Sequence, residues 1–519
     1  MRKTLLLSTL LTLLLFNIGR SQTIQDSKIV VASNELKGFV LDIDNHASLP
    51  YANIFVLCKN IGAVSNERGY FSIDRSGLEK TDTIRFQYIG YKTRKITIGQ
   101  LDTLKVVYLK EDIINLTETL IFGSAPNAKF IVKKVLQFRD SNYKRTTTKN
   151  LTFIRKRNIT EFENFKLDLK KTSISQLDEE LIKLVENKIP KEAISYNDFL
   201  GNVYHSKIKR DSATVKTDPI RAVSLKEKDI AELDYIESVF EEVFEDIGEE
   251  QYWKVKSGIF SQKIDDEEDE TTNDTLNVDA EQMKDSIKES GRNLYYYSRS
   301  IKNRLNYSYL NDKDSWEFLH KTSKYNYSLE GGTRVNGEDV YIIEFTPKSS
   351  GKFIGKLYIA TATYALIRAD YEFAEGKIGR DFHLFGIGYT ENLFCGSIYF
   401  ERQDDNYVLK YMSKKTGFTA SFDRSIALVK KEKRFLFDKK INELKVGIDL
   451  TMRNEDSFEY LVIDKTQISE EQFSDFTEEE RMAVIYVEQF DDDLWKGYPI
   501  IEPTKRMREY KKQEVVYSE

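Results

Sequence analysis

Over residues 36–109 apolar positions recur at every second residue in short runs, the period of strands with one buried face. Leu36 to Ile43, Tyr51 to Cys58, Gly69 to Ile73, Thr83 to Tyr88, Lys92 to Ile98 and Leu104 to Leu109 are the predicted strands. Turn residues separate them. Asp44-Asn45 and Pro50 break the first pair, Asn66 to Gly69 supplies a turn with a glycine free to turn left-handed, and Gly90 ends the ladder after Tyr88. From Ala125 the period lengthens. Ile131, Val135 and Phe138 fall at i, i+4 and i+7 and predict a helix from about Asn127 to Arg139, with strands next at Lys149 to Arg157 and Phe165 to Ile174. Between Leu225 and Ile247 an apolar stripe (Ile230, Leu233, Ile236, Phe240, Val243, Ile247) runs among acids and predicts a helix packed on a sheet by one face.

From Asn293 onward strands dominate. Lys324 to Leu329 and Val340 to Phe345 flank Gly331-Gly332 and Asn336-Gly337, the second a strong hairpin signal. Lys352 to Ala360 and Tyr364 to Phe373 continue a meander. Further strands are expected at Phe382 to Tyr389, Gly396 to Arg402, Tyr407 to Ser413, Gly417 to Phe422 and Leu444 to Thr451. Glu470 to Phe490 reads as largely helical.

Length and composition then bound the class. At 519 residues the chain exceeds the size at which one core stops growing, so more than one domain is expected. Arg2 and Lys3, an apolar run from Leu5 to Phe16, and Gly19 and Ser21 before Gln22 read as an export signal over residues 1–21. Its apolar run is shorter than the roughly 20 residues needed to span a bilayer, and no integral membrane segment is expected. Loss of Arg2, Lys3 and Arg20 with the signal takes the formal charge from −6 to −9. A mild acidic excess gives nucleic acid no reason to bind. Asp265 to Glu270 is the densest charge, expected to be a self-repelling disordered insertion at about 262–280 rather than a calcium loop, whose alternating ligands and turn glycine it lacks. The two cysteines, Cys58 and Cys395, sit in an oxidising compartment that permits a bridge; each is expected to be a small buried side chain in a strand. Neither ends the signal run, where a lipid-anchored cysteine would stand.

No reaction centre emerges from the residues. Zinc needs histidines and a glutamate at close spacing, and none of His46, His205, His320 and His383 has an acid three positions on. Gly351-Lys352-Phe353-Ile354-Gly355-Lys356 is one residue short of a phosphate loop, lacks its Ser or Thr, and lies between strands. Gly386-Ile387-Gly388 has no third glycine and no strand-to-helix setting, and no Gly-x-Ser-x-Gly elbow occurs. Catalytic, cofactor-binding and metal-binding residues are therefore all expected to be none.

Four blocks in order carry a resemblance. Gly38-Phe39-Val40, Leu49-Pro50-Tyr51-Ala52-Asn53-Ile54, Ser65-Asn66-Glu67-Arg68-Gly69-Tyr70-Phe71 and Phe86-Gln87-Tyr88-Ile89-Gly90-Tyr91 resemble the carboxypeptidase-regulatory-like domain of exported Bacteroidota proteins. The resemblance implies a transthyretin-like sandwich of about seven strands. Its turn carries Glu67-Arg68 in place of the family's Asp or Asn, a change a solvent-facing turn tolerates. The family's sandwich often precedes an outer-membrane transporter barrel, and Leu116 to Ile121 resembles the stretch just after the sandwich there. Too few residues remain for a plug and 22 long strands. The region from Asn127 through Asn142-Tyr143 to Phe153 and Arg155 resembles the region behind this domain in other exported proteins. Tyr341 to Phe345, Gly355 to Ile359 and Tyr364 to Ile367 resemble the curved antiparallel sheet of lipoprotein-carrier-type periplasmic proteins, which implies a half-barrel wrapping helices.

The expected organisation is thus a signal at 1–21, an all-β transthyretin-like sandwich at 34–111, a linker at 112–125, and an α+β half-barrel-like domain at 126–515. The expected role is a non-enzymatic exported envelope protein, in the periplasm or at the outer-membrane periphery, whose sandwich contacts or positions other envelope proteins. A carrier of an apolar ligand such as a lipid, with its cavity between sheet and helices, is the alternative. An outer-membrane-associated β-barrel component is the second, opposed by the dense charge of Tyr407 to Lys414 and Phe435 to Lys445.

Overall fold

The computed structural model describes residues 35–59, 62–112, 127–189, 191–206, 214–225, 250–257, 260–264, 292–435, 437–496, 498, 500 and 501–510. The export signal, nearly all of the linker, the 225–247 helix and most of the acidic insertion fall outside these residues. At the near edge of that insertion, 262–264 belong to a strand.

Seven short strands form the N-terminal module: β1 (Glu35–Asp42), β2 (Asn53–Val56), β3 (Gly62–Val64), β4 (Tyr70–Asp74), β5 (Thr83–Gln87), β6 (Arg94–Thr97) and β7 (Val106–Leu109). They make two sheets, β4-β1-β7 and β3-β2-β5-β6. Alternation decides what faces in: Leu36 and Val40 from β1, Ile54 and Val56 from β2, Phe71 from β4, and Ile84 and Phe86 from β5 share one core. Burying each such side chain contributes roughly 1.5–3 kcal/mol. β1 approaches its neighbours closely at Gly38, where a Cβ would lie 3.0 Å from Lys105 O and the Phe71 ring. Cys58 departs from expectation. It sits exposed in the turn after β2 at φ 61°, because the strand ends at Val56.

The body is built on a 14-stranded mixed sheet. It contains β8 (Thr148–Thr172), β9 (Glu192–His205), β10 (Val215–Leu225), β11 (Gln251–Ser257) and β12 (Phe260–Ile264). A two-residue strand, β13 (Arg292–Asn293), lies outside it. Then come β14 (Tyr325–Val335), β15 (Glu338–Pro347), β16 (Phe353–Ala360), β17 (Leu366–Phe373), β18 (Asp381–Leu384), β19 (Ile387–Gln403), β20 (Asn406–Glu432) and β21 (Lys439–Gln467). After β22 (Arg481–Met482), which pairs with β13, the edge strand β23 (Ile485–Val487) runs parallel to β10. The main path is β14-β15-β16-β17-β19-β20-β21-β8-β9-β10-β23.

The strands are longer than the periodicity indicates. β8 is continuous across both stretches read as separate strands, because the mainly polar stretch 158–164, of which only Ile159 is buried, keeps its ladder with β21. The Asn336-Gly337 turn joins β14 to β15 as expected, with φ 49° and 88°. The run Phe382 to Tyr389, expected as one strand, turns back at Phe385 and Gly386 (φ 48° and 75°) into a second hairpin. At the C-terminal end the expected helix over Glu470 to Phe490 stops at Asp475, after a capping box of Ser469 and Gln472. Tertiary bonds win over helix propensity beyond it: Glu478 accepts from Thr217 N at 2.7 Å, and β22 and β23 join sheets.

Helix α1 (Ala128–Gln137), capped by Asn127, and helix α2 (Leu294–Leu305) pack on one face of the sheet. Between them and the strands lies an aromatic cluster of Tyr307, Trp316, Phe318, Phe345, Phe353 and Tyr371. Phe318 stacks on Phe345 at 4.2 Å, Trp316 stacks on Tyr307 at 4.9 Å, and Tyr307 hydroxyl donates to the Tyr371 hydroxyl at 2.8 Å. This layer, where the carrier reading places its cavity, is filled by side chains. Among the described residues no helix is long and apolar enough to cross a membrane.

Candidate functional site

The large sheet is covered on both faces. Ile398, Met412, Tyr460, Ile154 and Phe199 stand opposite one another across β19, β20, β21, β8 and β9, and belong to the helix-side core. The neighbouring row, Tyr399, Tyr411, Leu461, Phe153 and Leu200, points to the other face. There it meets the N-terminal module and the segment from Phe490 to Met507.

The module is fastened to the body at two places. At one, Tyr51 lies 4.3 Å from Tyr411, centroid to centroid, and Val64 bridges Ile501. Asn66 Nδ2 donates to Pro503 O at 3.0 Å, and Glu67 pairs with Lys415 at 3.2 Å and Arg157 at 3.4 Å. The Glu67 turn is thus not the solvent-facing turn expected: Arg68 is exposed, whereas Asn66 is buried and Glu67 reaches the sheet. At the other place the Arg368 guanidinium lies 4.1 Å over the Tyr88 ring, and Gly90 approaches Tyr358 so closely that a Cβ would lie 2.9 Å from its ring.

Between these fastenings a slot of about 1170 Å³ remains. One wall is the outward face of β2 and β5. Register sets Phe55 opposite Arg85 and Asn53 opposite Gln87, while Ile54 and Phe86 turn inward. The second wall carries Tyr399, Glu401, Lys410, Tyr411, Leu461 and Ile463, and the C-terminal segment closes one side with Phe490, Trp495 and Tyr498. Burial pushes the Tyr399 hydroxyl up to about 12, so it stays protonated at ordinary pH. Lys59 pairs with Asp82 at 2.6 Å and Arg368 with Asp370 at 2.6 Å.

Beside the first fastening lies a buried ionic network. Arg155 holds Asp198 through two bonds of 2.7 and 2.8 Å and donates to Ile501 O at 2.8 Å. Burial raises Glu459 to about 7 against the pull of Arg155 and Arg157, and raises Glu502 to about 7 against that of Arg508. Glu67 shows the reverse balance: burial raises it, but Arg157 and Lys415 bring it below the usual carboxylate range.

The histidines are dispersed. His46 rests against Tyr108 at 5.4 Å, His205 is held neutral by burial with its pKa pushed down to about 4, His320 bonds Leu310 O at 2.8 Å, and His383 is 3.3 Å from Asp381. Cys395 stands in β19, unpaired with Cys58. The glycines from Gly351 to Gly355 belong to the β15–β16 turn and the start of β16. No group of three His, Cys, Asp or Glu placed to hold a metal occurs among the described residues. The slot residues carry no motif that marks them in the sequence. Phe55, an apolar residue on the outward phase of a sandwich strand, is the signal that could have found them.

Residues 36–121 match the CarboxypepD_reg-like domain family. No curated protein matches the chain. Among solved structures, it is similar to the MucA/MucB complex of Pseudomonas aeruginosa at 9% identity, covering 63% of this chain and 94% of that one, with a TM-score of 0.16. A putative outer membrane lipoprotein-sorting protein domain from Vibrio parahaemolyticus is 10% identical, with 67% and 97% covered and a TM-score of 0.17. A LolA superfamily protein from Nitrosomonas europaea is 10% identical, with 66% and 95% covered and a TM-score of 0.15. Scores of this size do not establish a shared fold. The two-sheet module that forms one wall of the slot is a CarboxypepD_reg-like domain, set on a large mixed-sheet body.

Proposed function

We propose that this chain is an exported, non-enzymatic binding protein of the cell envelope that holds a largely apolar chain in the slot between its N-terminal module and its sheet. The observation that carries the reading is the slot itself: about 1170 Å³, lined by Phe55, Tyr88, Tyr399, Tyr411, Phe490, Trp495 and Tyr498. Small-molecule sites fall at roughly 300–1,000 Å³, favour domain interfaces, and combine apolar walls with a few placed polar groups. Both walls are chiefly sheet faces, whose backbone donors and acceptors are spent in ladders. A peptide laid there would leave its own amides without partners, whereas an acyl chain has none to satisfy. The two-sheet module, a transthyretin-like sandwich in this reading, then serves to position one wall. The body's antiparallel meander fits a half-barrel whose helix side is packed solid.

Oleate is the test probe, followed by native mass spectrometry and calorimetry on the purified mature protein. Asn53→Trp fills the slot from β2, where the side chain has room to point outward. The wild type is expected to bind oleate and the variant to lose it while keeping the wild-type unfolding midpoint. Oleate binding that is unchanged in Asn53→Trp overturns the slot as the site.

A further inference from the structure

We propose that Arg85 is an anion anchor, so that the ligand of this slot is an amphiphile with an acidic head; the inference rests on the slot reading above. The strand Thr83–Gln87 alternates so that Ile84 and Phe86 enter the module's core and Arg85 is left on the slot face. Directly across the ladder stands Phe55, and the guanidinium carbon lies 3.8 Å above the centre of its ring. Stacking on an aromatic face holds the guanidinium flat and leaves its N–H edges free, the geometry that grips a planar carboxylate through two parallel bonds.

Among the described residues those edges have nothing to grip. Arg85 Nε is buried with no hydrogen-bond partner, and no carboxylate lies within ion-pair distance of the side chain, among the described residues. The slot's other guanidinium is committed, since Arg368 is bonded to Asp370 and to the Tyr88 hydroxyl. Lys59 is spent on Asp82, and Lys410 Nζ reaches Ile463 O at 3.4 Å. Glu401 stands beside Lys410 on the opposite wall, and Asp491, Asp493 and Lys496 line the C-terminal segment, where Asp491 caps a short helical turn. An acidic head is therefore drawn to Arg85, the slot guanidinium that has no carboxylate of its own among the described residues. A donor buried without a partner keeps its desolvation cost until a ligand supplies the acceptor.

Oleate and oleyl alcohol share a chain and differ in the head, so their affinities for the wild-type protein read the anchor without any substitution. Oleate is expected to bind at least roughly tenfold tighter, the scale of one charge-assisted pair. Arg85→Gln should bring oleate to the level of the alcohol and leave the alcohol unchanged, and Arg85→Lys should restore part of the difference. Equal affinities for the two probes, both lost in Asn53→Trp, would leave the slot standing and overturn the anchor. If neither probe binds the wild type, the slot reading falls and the anchor with it.

Discussion

Replacing Glu459 by glutamine probes the joint between module and sheet through its charge. Glu459 is on β21, close to Arg155, Arg157, Glu67 and Asp198, and accepts from the Tyr411 hydroxyl at 3.5 Å. Burial is the largest influence and raises its pKa from 4.5 to about 7; Arg155 and Arg157 offset it only in part, and Glu67 and Asp198 add to it. A group whose folded pKa is raised contributes stability that is fully present below the unfolded value and is lost as pH rises through the folded one. The native state should thus weaken between about pH 4.5 and 7, where the unfolded chain gives up this proton and the folded one keeps it. The rise to about 7 corresponds to about 3 kcal/mol, an upper figure for what charging costs. Glutamine keeps the shape and cannot charge, and the arginines keep their partners, Arg155 in Asp198 and Arg157 in Glu67 and Glu455. Urea unfolding of both proteins from about pH 5 to 8, followed by tryptophan fluorescence, measures the effect. Glu459→Gln should lie within about 1 kcal/mol of the wild type at the acid end and gain about 2–3 kcal/mol at the alkaline end, the difference growing from about pH 4.5 and levelling off near pH 7. A stability difference that is flat across this range, or a variant less stable at pH 8, refutes the assignment of a neutral buried carboxyl.

Other substitutions test the packing on the two sides of the sheet. Trp316→Ala removes a fully buried ring whose Nε1 donates to Tyr307 O at 2.9 Å, and should cost about 3–5 kcal/mol in the same unfolding assay; a loss under about 1 kcal/mol would mean that the helix-side layer is loosely filled. Arg155→Ala leaves Asp198, 3% exposed, without its cation and frees the Ile501 carbonyl, so a loss of about 3–5 kcal/mol is expected. Limited proteolysis of Arg155→Ala should cut first near Ile501 to Tyr510, and wild-type resistance there would show that Arg155 does not hold that segment.

Much of the N-terminal module was legible because its information is local. The period-two runs, Gly69 at φ 71° and Gly90 at φ 84° each act within a few residues, and six of its seven strands lie where the pattern places them. The Asn336-Gly337 hairpin is legible for the same reason, since two residues that accept positive φ settle the turn by themselves. The misread stretches depend on neighbours distant in the chain. The mainly polar stretch 158–164 looks like a break until β21 pairs with it, and Glu478 to Gln489 looks helical until Thr217, β10 and β13 offer better bonds.

The candidate site belongs wholly to that second kind. Alternation alone turns Arg85 and Phe55 outward, yet an outward arginine on a small sandwich ordinarily meets water. Only the docking of Tyr51, Asn66 and Tyr88 on the sheet sets that face opposite Tyr399 and Leu461 and encloses a volume. Short-range periodicity determines which side of a strand a residue occupies; what it faces depends on contacts hundreds of residues apart, such as Asn66 with Pro503, which no local pattern encodes.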